Sequence, residues 1–255
     1  MPTLERPLDG QIILVTGATG GIGAAIVERL AQEGARPIIH YSRDEAGAAA
    51  LLDRIDGEGW TVQADLANPE EPSALWDRAV SLAGRIDGLV NNAGIRTEIT
   101  IDADLDAWHA AWQREFQVNF FAAADLSRLA IRHFCDHGGG SIVNMASRSG
   151  QRGYMAEVMP YGAAKAALIN LTKSIARGFG AARVKAVAIA PGWVRTEMAE
   201  DYIARHGEAA AVAEIPIGAL ATPSEVAELV AFALRPSQKS LSGATLDVNG
   251  ASYVR

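Results

Sequence analysis

The chain has 255 residues, 49% of them hydrophobic and 21% charged, which is enough apolar material to fill a core and argues against a disordered chain. Its formal charge of −7 argues against nucleic acid or an anionic membrane as the main partner. The single Cys135 rules out an intramolecular disulfide and suits a reducing compartment. MPTLERPLDG has no apolar h-region, and no apolar run reaches the length of a membrane span, so the expectation is a soluble, cytoplasmic protein.

In chain order the pattern predicts a strand at Ile12–Thr16, a helix at Ile22–Glu33, a strand at Pro37–Tyr41 and a helix at Glu45–Ile55. A strand at Thr61–Gln63, a helix at Glu70–Ala83 and a strand at Gly88–Asn91 follow. One long helix is then expected over Leu105–His137, a strand at Ser141–Met145 and a helix at Tyr161–Phe179. The chain closes with a strand at Val184–Ala190, a helix at Ser224–Leu234 and a strand at Thr245–Val248. Strands apolar throughout, alternating with amphipathic helices, predict a parallel sheet covered on both faces. No linker or repeat divides the chain, so a single domain spanning 1–255 is expected. After Pro191 the alternation breaks, and residues 193–217, with Trp193, Met198, Tyr202 and Ile203, form a candidate lid.

The first strand runs into VTGATGGIGAAIVERL, where Gly17, Gly21 and Gly23 fall between strand and helix. Glycines there let a backbone approach a ligand closely, and the helix N-terminus behind them suits a pyrophosphate. The spacing is G-xxx-G-x-G rather than the commonest dinucleotide fingerprint. The second strand ends in Tyr41, Ser42 and Arg43, with no carboxylate at its tip. Arg43 suits a 2′-phosphate, while Asp44 and Glu45 fit the first turn of the next helix. This favours NADP(H), with NAD(H) as the alternative.

Tyr161 and Lys165 stand at i and i+4, neighbours on one helix face. Together with TGATGGIG at 16–23, ADL at 64–66, NNAG at 91–94, Asn119 in FQVNFF, Ser147 in GSIVNMAS, YGAAK at 161–165 and PGWVRT at 191–196, they make the chain resemble the short-chain dehydrogenase/reductase family in its single-domain form. The likeness runs through SGATLDVNGA near the end, and the chain resembles members of the 3-oxoacyl-[acyl-carrier-protein] reductase kind. The resemblance implies a Rossmann-type, doubly wound, seven-stranded α/β sheet and hydride transfer between a nicotinamide cofactor and a carbonyl or secondary alcohol. It also implies a homotetramer built through the long helices beginning near Leu105 and Tyr161.

Family roles carry over by position. Asn119, Ser147, Tyr161 and Lys165 would be catalytic: Asn119 anchors a water chain, Ser147 polarises the substrate oxygen and Tyr161 is the acid/base. Lys165, together with Tyr161, would hold the ribose. Thr16, Gly17, Thr19, Gly21, Ile22 and Gly23 would cradle the phosphates. Tyr41, Ser42 and Arg43 would meet the adenosine ribose, and Asp65, Leu66, Asn91, Ala93 and Gly94 would line the adenosine side. Pro191, Gly192, Val194 and Thr196 would flank the nicotinamide. Three places depart from the family's common forms: Val187 replaces a frequent Asn at a packing position, Ala251 replaces a second glycine in the late NGA turn, and the loop between Ser147 and Tyr161 is slightly long.

A free tyrosine titrates at ~10, and an ammonium ~4 Å away would lower that substantially, so Lys165 is expected to acidify Tyr161. Arg96, Arg148, Arg152 and Arg195 fall in loops that should rim the site, which favours a substrate with an anionic handle, such as a 3-oxoacyl thioester on a carrier protein. His133 and His137 precede Gly138 and read as a helix end, so no metal is expected. Alternative functions are an NAD-dependent dehydrogenase of a sugar, steroid or other small secondary alcohol, and a dinucleotide sensor without turnover.

Overall fold

The computed structural model describes residues 6–255; the start of MPTLERPLDG lies outside the described residues. Seven parallel strands form one sheet in the order β3-β2-β1-β4-β5-β6-β7. They are β1 Ile12–Val15, β2 Arg36–Tyr41, β3 Trp60–Gln63, β4 Gly88–Asn91, β5 Gly140–Met145, β6 Val184–Pro191 and β7 Thr245–Val248. Side chains alternate across the sheet. Ile13 and Val15 enter the core under helices α1 (Gly21–Gln32) and α10 (Pro223–Leu234), whereas Ile12 and Leu14 enter the core under α3 (Glu71–Ala83) and α5 (Ala122–Asp136). Both faces are therefore buried, which is why the strands read as unbroken apolar runs. Val187 is fully buried in the first of these cores, as its packing role required.

Helix starts follow local chemistry. Asp44 caps α2 (Glu45–Arg54) by accepting the Gly47 N–H at 2.9 Å, and Asp104 caps α4 (Leu105–Phe116) by accepting the Ala107 N–H at 2.8 Å. Thr222 and Glu225 form a capping box ahead of α10, with Pro223 in its first turn.

The long helix expected over Leu105–His137 is not a single regular α-helix. Between α4 and α5 the chain makes a π turn at Gln117–Phe121, and Asn119 sits in it. Such bulges widen one turn and recur at functional sites. The loop after Ser147 is filled by α6 (Ser149–Arg152) and a 3₁₀ turn at Ala156–Val158, which lead into α7 (Met159–Phe179). Residues 193–217 carry α8 (Glu197–His206) and α9 (Glu208–Val212). Ala199, Ala211 and Ile215 from this segment form a small core with Leu220 just beyond it, and Trp193 and Tyr202 pack against it. Ala251 has φ 64, the left-handed region where the family's glycine would be at ease.

Candidate active site

The carboxyl ends of the strands open into a cleft of about 660 Å³. It lies where the strand order reverses, between β1 and β4, the place where open α/β sheets bind ligands. Gly17, Thr19, Gly21, Ile22 and Gly23 line it. Gly17 has φ 60, and a Cβ there would lie 2.8 Å from the Ala93 Cα; one on Gly23 would lie 2.2 Å from the Gly17 carbonyl oxygen. Gly20 caps α1 without a side chain, which leaves first-turn N–H groups free to meet an anion.

Ser42, Arg43, Asp65, Leu66, Ala93 and Gly94 continue the wall on one side; Pro191, Gly192, Val194 and Thr196 form the other. Thr16, Tyr41 and Asn91 stand off it. Thr16 Oγ1 accepts the N–H groups of Asn92 and Ala93, each at 3.0 Å, and so braces the loop from beneath. Tyr41 packs against the core, and the Asn91 amide is buried against Asn144 (2.8 Å) and Ser127 (3.1 Å). Asn92 lines the cleft instead, giving its amide hydrogens to the carbonyls of Thr16 and Gly17, both at 2.9 Å.

His40 was not singled out in the sequence. Its Nδ1 accepts the Gly17 N–H at 2.9 Å and its Nε2 lies 3.1 Å from the Ala64 carbonyl. That pairing requires the neutral ring with the proton on Nε2, and burial drives its pKa down to about 4. The signal was a histidine inside an apolar strand, where a ring needs partners on both nitrogens.

Ser147, Tyr161 and Lys165 meet at the cleft's inner end. The Ser147 hydroxyl accepts the Ser149 N–H at 3.1 Å and hydrogen-bonds the Tyr161 phenol. Lys165 is buried, donates to the Met145 carbonyl at 2.8 Å and stands 5.6 Å from the Tyr161 ring centroid. Burial lowers its pKa to about 8, partly offset by Glu115. The expected acidification of Tyr161 is therefore not what the structure contains. The ammonium is turned to a carbonyl, and burial holds the phenol above its ordinary value, with the Ser147 hydrogen bond pulling the other way.

Asn119 lies just behind Gly94. Its Oδ1 accepts the Ile95 N–H and its Nδ2 donates to the Ile95 carbonyl, both at 2.9 Å. Nδ2 also donates to Glu115 Oε1 at 2.6 Å. Glu115 is a fully buried carboxylate that sequence reading passed over.

The four rim arginines are charge-matched. Arg148 and Arg152 reach Glu214 in the lid at 3.7 and 2.5 Å; Arg195 pairs with Glu200 at 3.2 Å and with Glu208. Arg96 pairs with Glu98 at 3.2 Å. The rim is thus no bare basic patch. Arg96 differs in place: its side chain is 8% exposed, lies over Trp193 and is close enough to act on the Tyr161 phenol. His133 and His137 are also committed locally, His133 Nε2 accepting the Ile86 N–H at 3.1 Å and His137 closing α5.

A glycine-floored cleft at the switch point, ending in a serine, a tyrosine and a lysine four residues on, defines a Rossmann-type oxidoreductase. The chain belongs to the short-chain dehydrogenase/reductase family and is an NAD(P)-dependent enzyme of that family. Its residues 17–251 match the family model described as enoyl-(acyl carrier protein) reductase. It is 34% identical over 247 residues to the 3-oxoacyl-[acyl-carrier-protein] reductase FabG of Vibrio cholerae, covering 97% of this chain and 99% of that one. A cis-4-hydroxycyclohexanecarboxylate dehydrogenase of Sinomonas cyclohexanicum is 37% identical, over 94% and 95% of the two chains. Among solved structures, a doubly substituted mutant of a Serratia marcescens short-chain dehydrogenase/reductase superposes with a TM-score of 0.87 at 31% identity, covering 97% of this chain and 100% of that one. The cleft fits the family's nicotinamide dinucleotide, since its floor is bare backbone where side chains would block close approach.

Proposed function

We propose that the protein reduces a ketone with NADPH, or oxidises the corresponding secondary alcohol in reverse. The observation that carries this reading is the meeting of Ser147, Tyr161 and Lys165 at one end of the glycine-floored cleft. When bound, the dinucleotide supplies hydride-transfer chemistry. Gly17 to Gly23 would hold its pyrophosphate, Ser42 and Arg43 its 2′-phosphate, Asp65, Leu66, Ala93 and Gly94 its adenosine side, and Pro191 to Thr196 its nicotinamide side. Tyr161 and Lys165 would hold the ribose.

The chain's own groups then handle the oxygen. The Ser147 hydroxyl would donate to the carbonyl oxygen as charge develops on it, a contact worth about 3 kcal/mol in comparable sites. Tyr161, kept protonated by burial, would give its proton to the same oxygen, and Lys165 and Asn119 would carry the replacement inward. The lid at 193–217, with Trp193 packed against its small core, would exclude water from the reacting end.

For substrate, the FabG relatives support a 3-oxoacyl thioester, carried on an acyl carrier protein. Arg96 favours a second reading, a small secondary alcohol bearing a carboxylate, because it is a largely buried rim cation whose charge acts on the Tyr161 phenol. A homotetramer is proposed from Leu105, Phe121 and Phe179, which leave apolar surface exposed at 66, 49 and 40%. A cytoplasmic setting is proposed too; among the described residues no helix is long and apolar enough to cross a membrane. The test is a panel of ketones, oxoacyl thioesters and secondary alcohols read by NAD(P)H absorbance with both cofactors. Tyr161→Phe should lower turnover about 1000-fold; parental turnover by that variant would refute the assignment.

A further inference from the structure

Glu115 closes the last turn of α4, four residues before Asn119, and is 0% exposed. Burying a carboxylate costs several kcal/mol unless donors surround it. Here Oε1 accepts Asn119 Nδ2 at 2.6 Å, Oε2 accepts the Thr97 N–H at 2.9 Å, and the Thr97 hydroxyl bonds it as well. Among the described residues no arginine or lysine forms an ion pair with it; the cation that faces it is Lys165.

The arrangement fixes which way the Asn119 amide points. Glu115 and the Ile95 carbonyl take its N–H groups. Oδ1 is left toward Gly94, where it and Lys165 Nζ lie 2.7 and 3.3 Å from the point a Cβ would occupy. Without the carboxylate, the amide keeps its two bonds to Ile95 but loses the second acceptor of its N–H groups.

We propose that Glu115 is a positioning residue for the reaction: it orients Asn119 and serves as the buried counter-charge that keeps Tyr161 and Lys165 loaded with protons, the state that ketone reduction consumes. The proposal rests on the proton-handling role given above to Tyr161 and Lys165. Besides Glu115 on α4, the groups that act on the Tyr161 phenol are Arg96, Tyr154 and Ser147, and Glu115 is the charge that acts on Lys165. Arg96 pulls the phenol toward ionisation, so it opposes Glu115 rather than duplicating it.

The experiment is an ultraviolet titration of the Tyr161 phenol, taken as the parent spectrum minus that of Tyr161→Phe, with and without Glu115→Gln. Removing a nearby negative charge eases phenol ionisation, so the midpoint should fall by about one pH unit. With NADPH and the best ketone of the panel, Glu115→Gln should also lower kcat about tenfold while the NADPH KM stays within about threefold. An unmoved midpoint overturns the proposal, whatever happens to kcat. Should Glu115→Gln not fold, Glu115→Asp keeps the charge and shortens the reach: kcat should fall at a parental midpoint, and a moved midpoint there overturns the proposal equally. The titration reads no turnover, so failure of the catalytic assignment, seen as activity in Tyr161→Phe alone, is a separate result.

Discussion

The Gly17 N–H donates to His40 Nδ1 at 2.9 Å, so the ring of a β2 histidine holds the first glycine of the phosphate loop in place. The ring works only while neutral, because a proton on Nδ1 would set two donors against each other. The unfolded histidine takes up a proton near 6.5 and the folded one only at about 4. Between those values the unfolded chain binds more protons, so stability falls as pH drops through the window. At pH 5 the loss from this group alone is about 2 kcal/mol. Urea unfolding at pH 7 and pH 5 should show His40→Gln losing less stability on acidification than the parent does. Parallel losses in the two proteins would remove His40 from the account.

How much of this could be read from the sequence depends on where each partner lies. Unbroken apolar runs and the glycine spacing are local, and they place all seven strands within a residue or so of their observed ends. The π turn at Gln117–Phe121 is not local information: QVNFF continues an ordinary helical pattern, and the bulge forms where Asn119 bonds Ile95. Lys165 shows the limit of i, i+4 reasoning. Spacing put the ammonium beside the phenol, but the Met145 carbonyl, contributed by β5, decided where it points. Arg148 and Arg152 were legible as residues but not as pairs, since Glu214, which matches both, comes from the distant lid.

Arg43 projects from the end of β2 onto the cleft wall with no acidic partner among the described residues. Its neighbour Asp44 also lines the cleft, but its carboxylate is engaged in capping α2 through the Gly47 N–H. A guanidinium in that place pairs with a 2′-phosphate, whereas a carboxylate would accept from a 2′-hydroxyl. Arg43→Glu should therefore raise the KM for NADPH about 10- to 100-fold and leave that for NADH level or lower. An undiminished preference for NADPH in initial-rate kinetics would count against the 2′-phosphate site.

Gly94 is where the cleft wall meets Asn119 and Lys165, the groups proposed to carry the proton. A methyl group added there would lie 2.7 Å from Asn119 Oδ1 and 3.3 Å from Lys165 Nζ. Neither can yield freely: the amide is held by both polar groups of Ile95 and by Glu115, and the ammonium by Met145. Gly94→Ala should thus push the amide off its bonds, at a cost of about 1–3 kcal/mol in stability. A shift of this size at a reacting centre costs on the order of 100-fold in rate. Turnover should therefore fall by that factor, while the NADPH KM, which Gly94 also touches through the adenosine side, should rise by less. A variant that binds NADPH poorly but keeps its kcat would place Gly94 in cofactor binding alone and separate it from Asn119 and Lys165.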